Sequence, residues 1–213
     1  MELQIVIGGL GGEGIVFMTT ILAESIFHHG YPVLSTETHG MAMRGGSVIS
    51  QLKVGDFQSP MIRYGHADFL IATSEAEVER NRLYLKRVGG RTIFNSAGGG
   101  PDTIDAKGVA DQLGNPRGAN LVLLGYAVAK LNGFEPHLFE ETIITLSPPS
   151  FSEANRQTFR IGFERGRSTC WPDVSLAPWA SSPIVRPVTV GWRSCKRPAS
   201  IRRLATKVVP PAA

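Results

Sequence analysis

Gly9, Gly11 and Gly14 stand in the spacing G-x-G-x-x-G within the run Gly8-Gly9-Leu10-Gly11-Gly12-Glu13-Gly14. Glycines so placed allow a tight turn and let backbone amides approach a phosphate at a helix N-terminus. Glu37 follows at about the twenty-residue distance where an acidic side chain would hold the ribose of a dinucleotide. Taken alone, the motif suggests a free-standing NAD- or FAD-binding oxidoreductase. The same glycines are also explained by a loop packed against a neighbouring backbone. No acid, base or tyrosine–lysine pair suited to hydride transfer accompanies the motif, so no residue is assigned a catalytic role.

A second unusual loop is Thr38-His39-Gly40-Met41-Ala42-Met43-Arg44-Gly45-Gly46. Gly45 and Gly46 permit positive φ, and Arg44 offers a rigid five-donor fork suited to a carboxylate, a phosphate or exposed carbonyls. A structural ion pair would account for Arg44 as well. His39 has no partner at metal-ligand spacing and reads as a solvated loop histidine, so no metal site is expected. The candidate binding or interface residues are therefore Gly9, Gly11, Gly12, Gly14, Arg44, Gly45 and Gly46.

Alternating elements must position these loops. Leu3 to Ile7 reads as a strand, and the segment from Ile15 to His29 as an amphipathic helix stopped by Gly30. Strands are expected from Tyr31 to Thr36, Ser47 to Val54, Asp68 to Thr73 and Arg91 to Phe94. Ser74 and Glu77 make a capping box for a helix reaching about Arg87, so both residues read as structural. Ala119 to Leu131 is apolar on nearly every side, a helix buried in the domain or at a partner surface. Pro136 opens the next helix, Pro148-Pro149 closes it, and Phe151 to Glu164 forms a last amphipathic one. This alternation implies an α/β, Rossmann-like fold: a mostly parallel sheet covered by helices on both faces, with both glycine loops at the carboxyl edge.

The 213 residues suffice for one substantial domain plus an appendage. The net charge of +4 is unevenly spread: Gly166 to Ala213 holds eight Lys and Arg against Asp173 alone, leaving fourteen basic and seventeen acidic residues in positions 1 to 165. That tail also carries all three tryptophans, both cysteines and half of the fourteen prolines, without a sustained period. It reads as a separate, disordered or atypical extension; no recognition motif orders its charges into a nucleic-acid or membrane-binding face. The expected division is 1–165 and 166–213. Cys170 and Cys195 cannot frame an iron–sulfur cluster. No apolar run is long enough for a membrane span and no leader is apparent, so a cytoplasmic protein is expected.

Four motifs in order carry a resemblance: the early Gly-Gly-Glu-Gly; Met41-Ala42-Met43-Arg44-Gly45-Gly46; Ser59-Pro60 followed by Gly65-His66-Ala67-Asp68; and Gly114-Asn115-Pro116-Arg117 leading to Asn120-Leu121-Val122-Leu123-Leu124-Gly125. Together, over about residues 1 to 165, they resemble the gamma subunit or domain of 2-oxoacid:ferredoxin oxidoreductases, with the strongest likeness to the indolepyruvate and aryl-glyoxylate type. The resemblance implies one part of a larger enzyme that decarboxylates a 2-oxoacid on thiamine diphosphate and passes electrons through [4Fe-4S] clusters to ferredoxin or a similar acceptor. It places both cofactors on alpha, beta and cluster-carrying partner chains. This chain would add an assembly surface, closure of the active site and an anion cradle for coenzyme A, and would be inactive alone. The family usually has glutamine where Glu13 stands, and a carboxylate there opposes phosphate binding at the first loop. Ser74 replaces a residue that is often acidic, and the tail beyond Gly166 has no counterpart.

Overall fold

The computed structural model describes residues 2–40, 45–100, 102–131 and 133–169. The segment from Cys170 onward, with its cysteines and tryptophans, lies outside the described residues.

Apolar β1 (Leu3–Leu10) is almost wholly buried. It runs past the expected end at Ile7, because Gly8 and Gly9 continue the pleat against Ile49 and Val48 of β3 (Ser47–Val54). Helix α1 (Ile15–His28) crosses to β2 (Val33–His39). Next come β4 (Phe69–Ala72) and α2 (Glu75–Asn81). Helix α2 stops well short of Arg87: the Asn81 amide bonds back to the Glu77 carbonyl at 2.9 Å, and the chain tightens into a 3-10 turn, Arg82–Tyr84. The order then runs β5 (Arg91–Asn95), β6 (Thr103–Ile104), α3 (Ala106–Gln112), α4 (Ala119–Leu131), α5 (Pro136–Leu146) and α6 (Ser152–Ser168).

Among the described residues one six-stranded sheet has the order β2-β3-β1-β4-β5-β6. The pairs β1/β4, β4/β5 and β5/β6 are parallel, whereas β3 runs antiparallel to both β1 and β2. The sheet is therefore mostly parallel, with β3 as the one reversed strand. Residues facing one side, including Leu3, Ile5, Ile7, Leu52 and Ile71, meet α1 and α4 in the main core. Val6, Leu70, Ile62 and Ala67 form a smaller core on the opposite side, roofed by α2 and the segment that follows β3. Helices thus cover both faces, thickly on one and thinly on the other.

Helix α4 is apolar all round because it lies between the sheet and α6. Glycines bring the two helices close: a Cβ on Gly162 would stand 2.8 Å from the Val122 carbonyl carbon, and one on Gly166 2.8 Å from the Tyr126 oxygen. Spacing of four residues puts both on one face of α6. Lys130 is buried at this seam, donating to the Thr169 carbonyl with its ammonium 5.2 Å from the Tyr126 ring centroid, and burial lowers its pKa.

Gly162→Ala should cost about 2 kcal/mol, because overpacking against backbone outweighs the helical preference of alanine. Gly98→Ala, whose new methyl meets only Ser96 Oγ at 3.5 Å, should change stability by less than about 0.5 kcal/mol. Urea unfolding of the two variants beside the parent chain measures the contrast; equal midpoints would remove the seam as a constraint.

Candidate functional site

The register Gly9↔Val48 and Leu10↔Ser47 places the first glycine loop against the second at the carboxyl edge of β1. The Gly11 amide donates to the Gly46 carbonyl at 2.8 Å, and the Gly40 amide donates to the Ser47 carbonyl at 3.1 Å, closing the second loop. Gly11, Gly45 and Gly46 thus come together. Met41 to Arg44 lie outside the described residues. Gly12 is at the tip, with positive φ and open space where a side chain would begin.

Gly9 and Gly14 have different work. Gly9 lies inside β1, where a Cβ would strike the Ile15 side chain and stand 2.8 Å from the Thr73 hydroxyl. Gly14 has φ +76° as the residue before α1, and a Cβ there would collide with the Asn120 amide, which donates to the Gly14 carbonyl at 3.4 Å. Close packing explains both glycines.

Two carboxylates pin the loops. Glu13 Oε2 accepts from the Leu10 amide at 2.7 Å and from the Thr73 hydroxyl at 2.5 Å, tying the first loop to the end of β4. Asn95 extends the tie: its amide donates to the Thr73 carbonyl at 3.3 Å, and its Oδ1 accepts from the Ala106 amide at the start of α3 at 2.8 Å. Glu77 is 1% exposed and accepts from the Ser47 hydroxyl at 2.8 Å, from the Asn81 amide at 3.4 Å and from Arg80. Only half of the expected capping box forms: the Glu77 amide reaches Ser74 Oγ at 3.4 Å, while the Glu77 carboxylate turns to the second loop. Thr73, Glu77, Asn95 and Asn120 were invisible as site residues in the sequence. Each acts on a partner from 11 to 106 positions away, beyond the reach of any local pattern.

This arrangement corrects the dinucleotide reading. Amides of Leu10, Gly11 and Glu13 already donate within the paired loops, and the Glu13 carboxylate occupies the position where phosphate would need donors. Glu37 sits on β2, separated from β1 by β3, hence two strand spacings or about 10 Å away. Its Oε2 lies 3.5 Å from His39 Nε2, and His39 ends β2 rather than lying in the loop. Among the described residues no three His, Cys, Asp or Glu side chains are grouped to hold a metal ion. No described helix is long and apolar enough to cross a membrane.

Glu13→Ala should leave the Leu10 amide without its carboxylate, speed its hydrogen exchange about tenfold and lower stability by about 1 kcal/mol. Glu13→Gln keeps an acceptor and should retain most of that protection. Unchanged Leu10 exchange in the alanine variant would show that the pin contributes nothing.

Known proteins share both the pattern and the fold. The sequence profile described as pyruvate ferredoxin/flavodoxin oxidoreductase matches residues 4–165. A Pyrococcus horikoshii protein named indolepyruvate oxidoreductase subunit IorB is 30% identical over 200 residues, covering 78% of this chain and 96% of that protein. The crystal structure of a keto/oxoacid ferredoxin oxidoreductase gamma subunit from Geobacter sulfurreducens superposes with a TM-score of 0.65 at 25% identity, covering 77% of this chain and 98% of that one. A 2-oxoglutarate:ferredoxin oxidoreductase from Magnetococcus marinus, with 2-oxoglutarate, coenzyme A and succinyl-CoA bound, shares the fold at TM-score 0.62 and 20% identity; the match spans 79% of this chain and 31% of that one. The expected kinship holds, and the chain belongs to the pyruvate ferredoxin/flavodoxin oxidoreductase family as a gamma-type subunit.

Proposed function

We propose that this chain is the gamma-type subunit of a thiamine-diphosphate-dependent enzyme that oxidatively decarboxylates a 2-oxoacid to an acyl-CoA and reduces ferredoxin. The carrying observation is the pair of glycine loops joined through Gly11 and Gly46 and pinned by their own carboxylates at the carboxyl edge. Polar groups so committed to one another hold shape, and shape is what a subunit contributes to a pocket built mainly by others. Gly9, Gly11, Gly12, Gly14, Arg44, Gly45 and Gly46 form the proposed edge. Within it, Gly11, Gly45 and Gly46 bring the loops together, while Gly9 and Gly14 let the first loop seat on α1 and α4.

When bound on partner chains, thiamine diphosphate supplies the electron sink for decarboxylation, and iron–sulfur clusters carry single electrons away. This chain closes the pocket beside them and excludes water. Arg44, on the second loop, is the cation proposed to meet a coenzyme A phosphate; the first loop is unsuited to it because Glu13 would repel the anion. The working domain in this reading runs past the expected boundary at 165, because α6 continues to Ser168 and Gly166 and Thr169 pack on α4; the basic remainder is a separate appendage, and the assembled enzyme operates in the cytoplasm. The similarity to an IorB chain favours an aromatic 2-oxoacid as substrate.

Anaerobic purification of the tagged chain with its co-expressed partner subunits tests the reading. The complex should show iron–sulfur absorbance and reduce ferredoxin with a 2-oxoacid and coenzyme A, while the chain alone does neither. Arg44→Ala in that complex should raise KM for coenzyme A about tenfold, the loss of one charge-assisted contact, with kcat little changed. A chain that stays alone and binds NAD or FAD with micromolar affinity would restore the free-standing dehydrogenase.

A further inference from the structure

The thinly covered side of the sheet carries a second surface, at the edge opposite the glycine loops. Residues 61–66 and 82–88 are stitched together there: the Gly65 amide donates to the Leu83 carbonyl and the Ala67 amide to the Tyr84 carbonyl, each at 2.8 Å, and the Lys86 amide returns to the Ala67 carbonyl at 2.9 Å. Below this ledge lie Val6, Ile62, Ala67 and Leu70 of the smaller core. Above it, large apolar side chains face solvent: Met61 is 55% exposed, Tyr64 67%, Leu83 64% and Val88 89%. The Tyr64 and Tyr84 rings pack at 4.7 Å between centroids, so side chains as well as backbone join the two segments. Burial and the neighbouring Tyr64 push the Tyr84 phenol's pKa up.

Charge on the ledge is one-sided. Arg63, Arg82, Lys86 and Arg87 belong to these two segments, which contain no carboxylate, although acids outnumber bases seventeen to fourteen across positions 1 to 165. Asp68 pairs with Lys86 at 2.5 Å and Glu79 with Arg82 at 3.4 Å. Arg63 and Arg87 have no ion pair among the described residues. Exposed Tyr, Met and Arg without Asp or Glu is the composition found at the centres of protein interfaces.

We propose that this ledge docks a larger subunit of the same oxidoreductase, through a partner face with an apolar centre and an acidic rim. The inference rests on the subunit reading above and adds which face is used. Arg63 and Arg87 are exposed beside the apolar patch and have no carboxylate partner among the described residues, so an acidic partner surface is attracted to this face and oriented on it. A symmetric pair of this chain is disfavoured, since a two-fold interface would set the basic ledge against its own copy. The ledge lies at the amino ends of β4 and β5, and the glycine loops lie beyond the carboxyl end of β4. Four residues of β4 therefore separate the two by about 13 Å. A partner gripping the ledge leaves the glycine loops free to face the pocket.

The test uses the full chain, co-expressed with the larger subunits and isolated by its tag. The double variant Arg63→Glu/Arg87→Glu should recover about tenfold less of the larger subunit, with an unchanged thermal melt, and the parent complex should dissociate as salt rises. Arg63→Lys/Arg87→Lys should assemble normally, as should Arg160→Glu on exposed α6. Assembly of the charge-reversed chain at parental yield, or assembly insensitive to salt, overturns the ledge while leaving the subunit reading intact. Failure of the parent chain to recover any larger subunit overturns both. A parent chain that is a dimer alone, and becomes monomeric on charge reversal, assigns the ledge to a second copy instead.

Discussion

The antiparallel pairing of β1 with β3 is the constraint on which the candidate site depends. It sets Leu10 against Ser47, and so obliges the loop leaving β1 to lie beside the loop entering β3. The Gly11–Gly46 hydrogen bond follows from that register. Alternation along β3 locks it: Val48, Leu52 and Val54 enter the main core, while Ile49 and Gln51 face the other side, where the Gln51 Oε1 accepts from the Ile62 amide at 2.5 Å. A one-residue slip would exchange these faces and expose the valines and leucine. The same pairing pushes β2 out to the sheet edge, away from the position in which its acidic residue would serve a nucleotide.

Given that register, the loops still need to be held, and each is held by a carboxylate rather than by an anion from solution. Glu13 answers the Leu10 amide, a donor that a phosphate would otherwise compete for. Glu77 is almost fully buried and compensates its lost hydration with three donors. Both ties lead to the β4–α2 junction, Glu13 through Thr73 and Glu77 through its own place on α2. A single short turn therefore anchors two loops.

Much of the architecture was legible because it is local. Ser47–Val54 and Ala119–Leu131 appear with the bounds that their apolar content predicts, and Pro136 opens α5 as its fixed φ allows. What the sequence hid is long-range or too short to show a period. The direction of β3 depends on its partner, not on its own residues. β6 has two residues, and seven-residue α3 has a glycine in its first turn; its one local sign is Asp105, which accepts from the Gly108 amide at 2.8 Å. The glycine motif was visible, yet its meaning was not, because Gly9 and Gly14 are explained by Ile15, Thr73 and Asn120 in the folded chain.

The two sides of the sheet differ in how they are covered. On the thick side α4 is held between the sheet beneath and the glycine face of α6 above, a contact so close that it leaves no room for a Cβ at Gly162 or Gly166. On the thin side the cover is a seven-residue helix, a 3-10 turn and an extended segment, joined by single hydrogen bonds. Short cover elements bury little area each, so this side contributes less apolar burial to the fold than the side of α1 and α4. The Glu77 pin and the basic ledge both belong to this thin cover, at opposite ends of β4. One short strand and the helix that follows it thus separate the two, with the thick side as the frame that holds both.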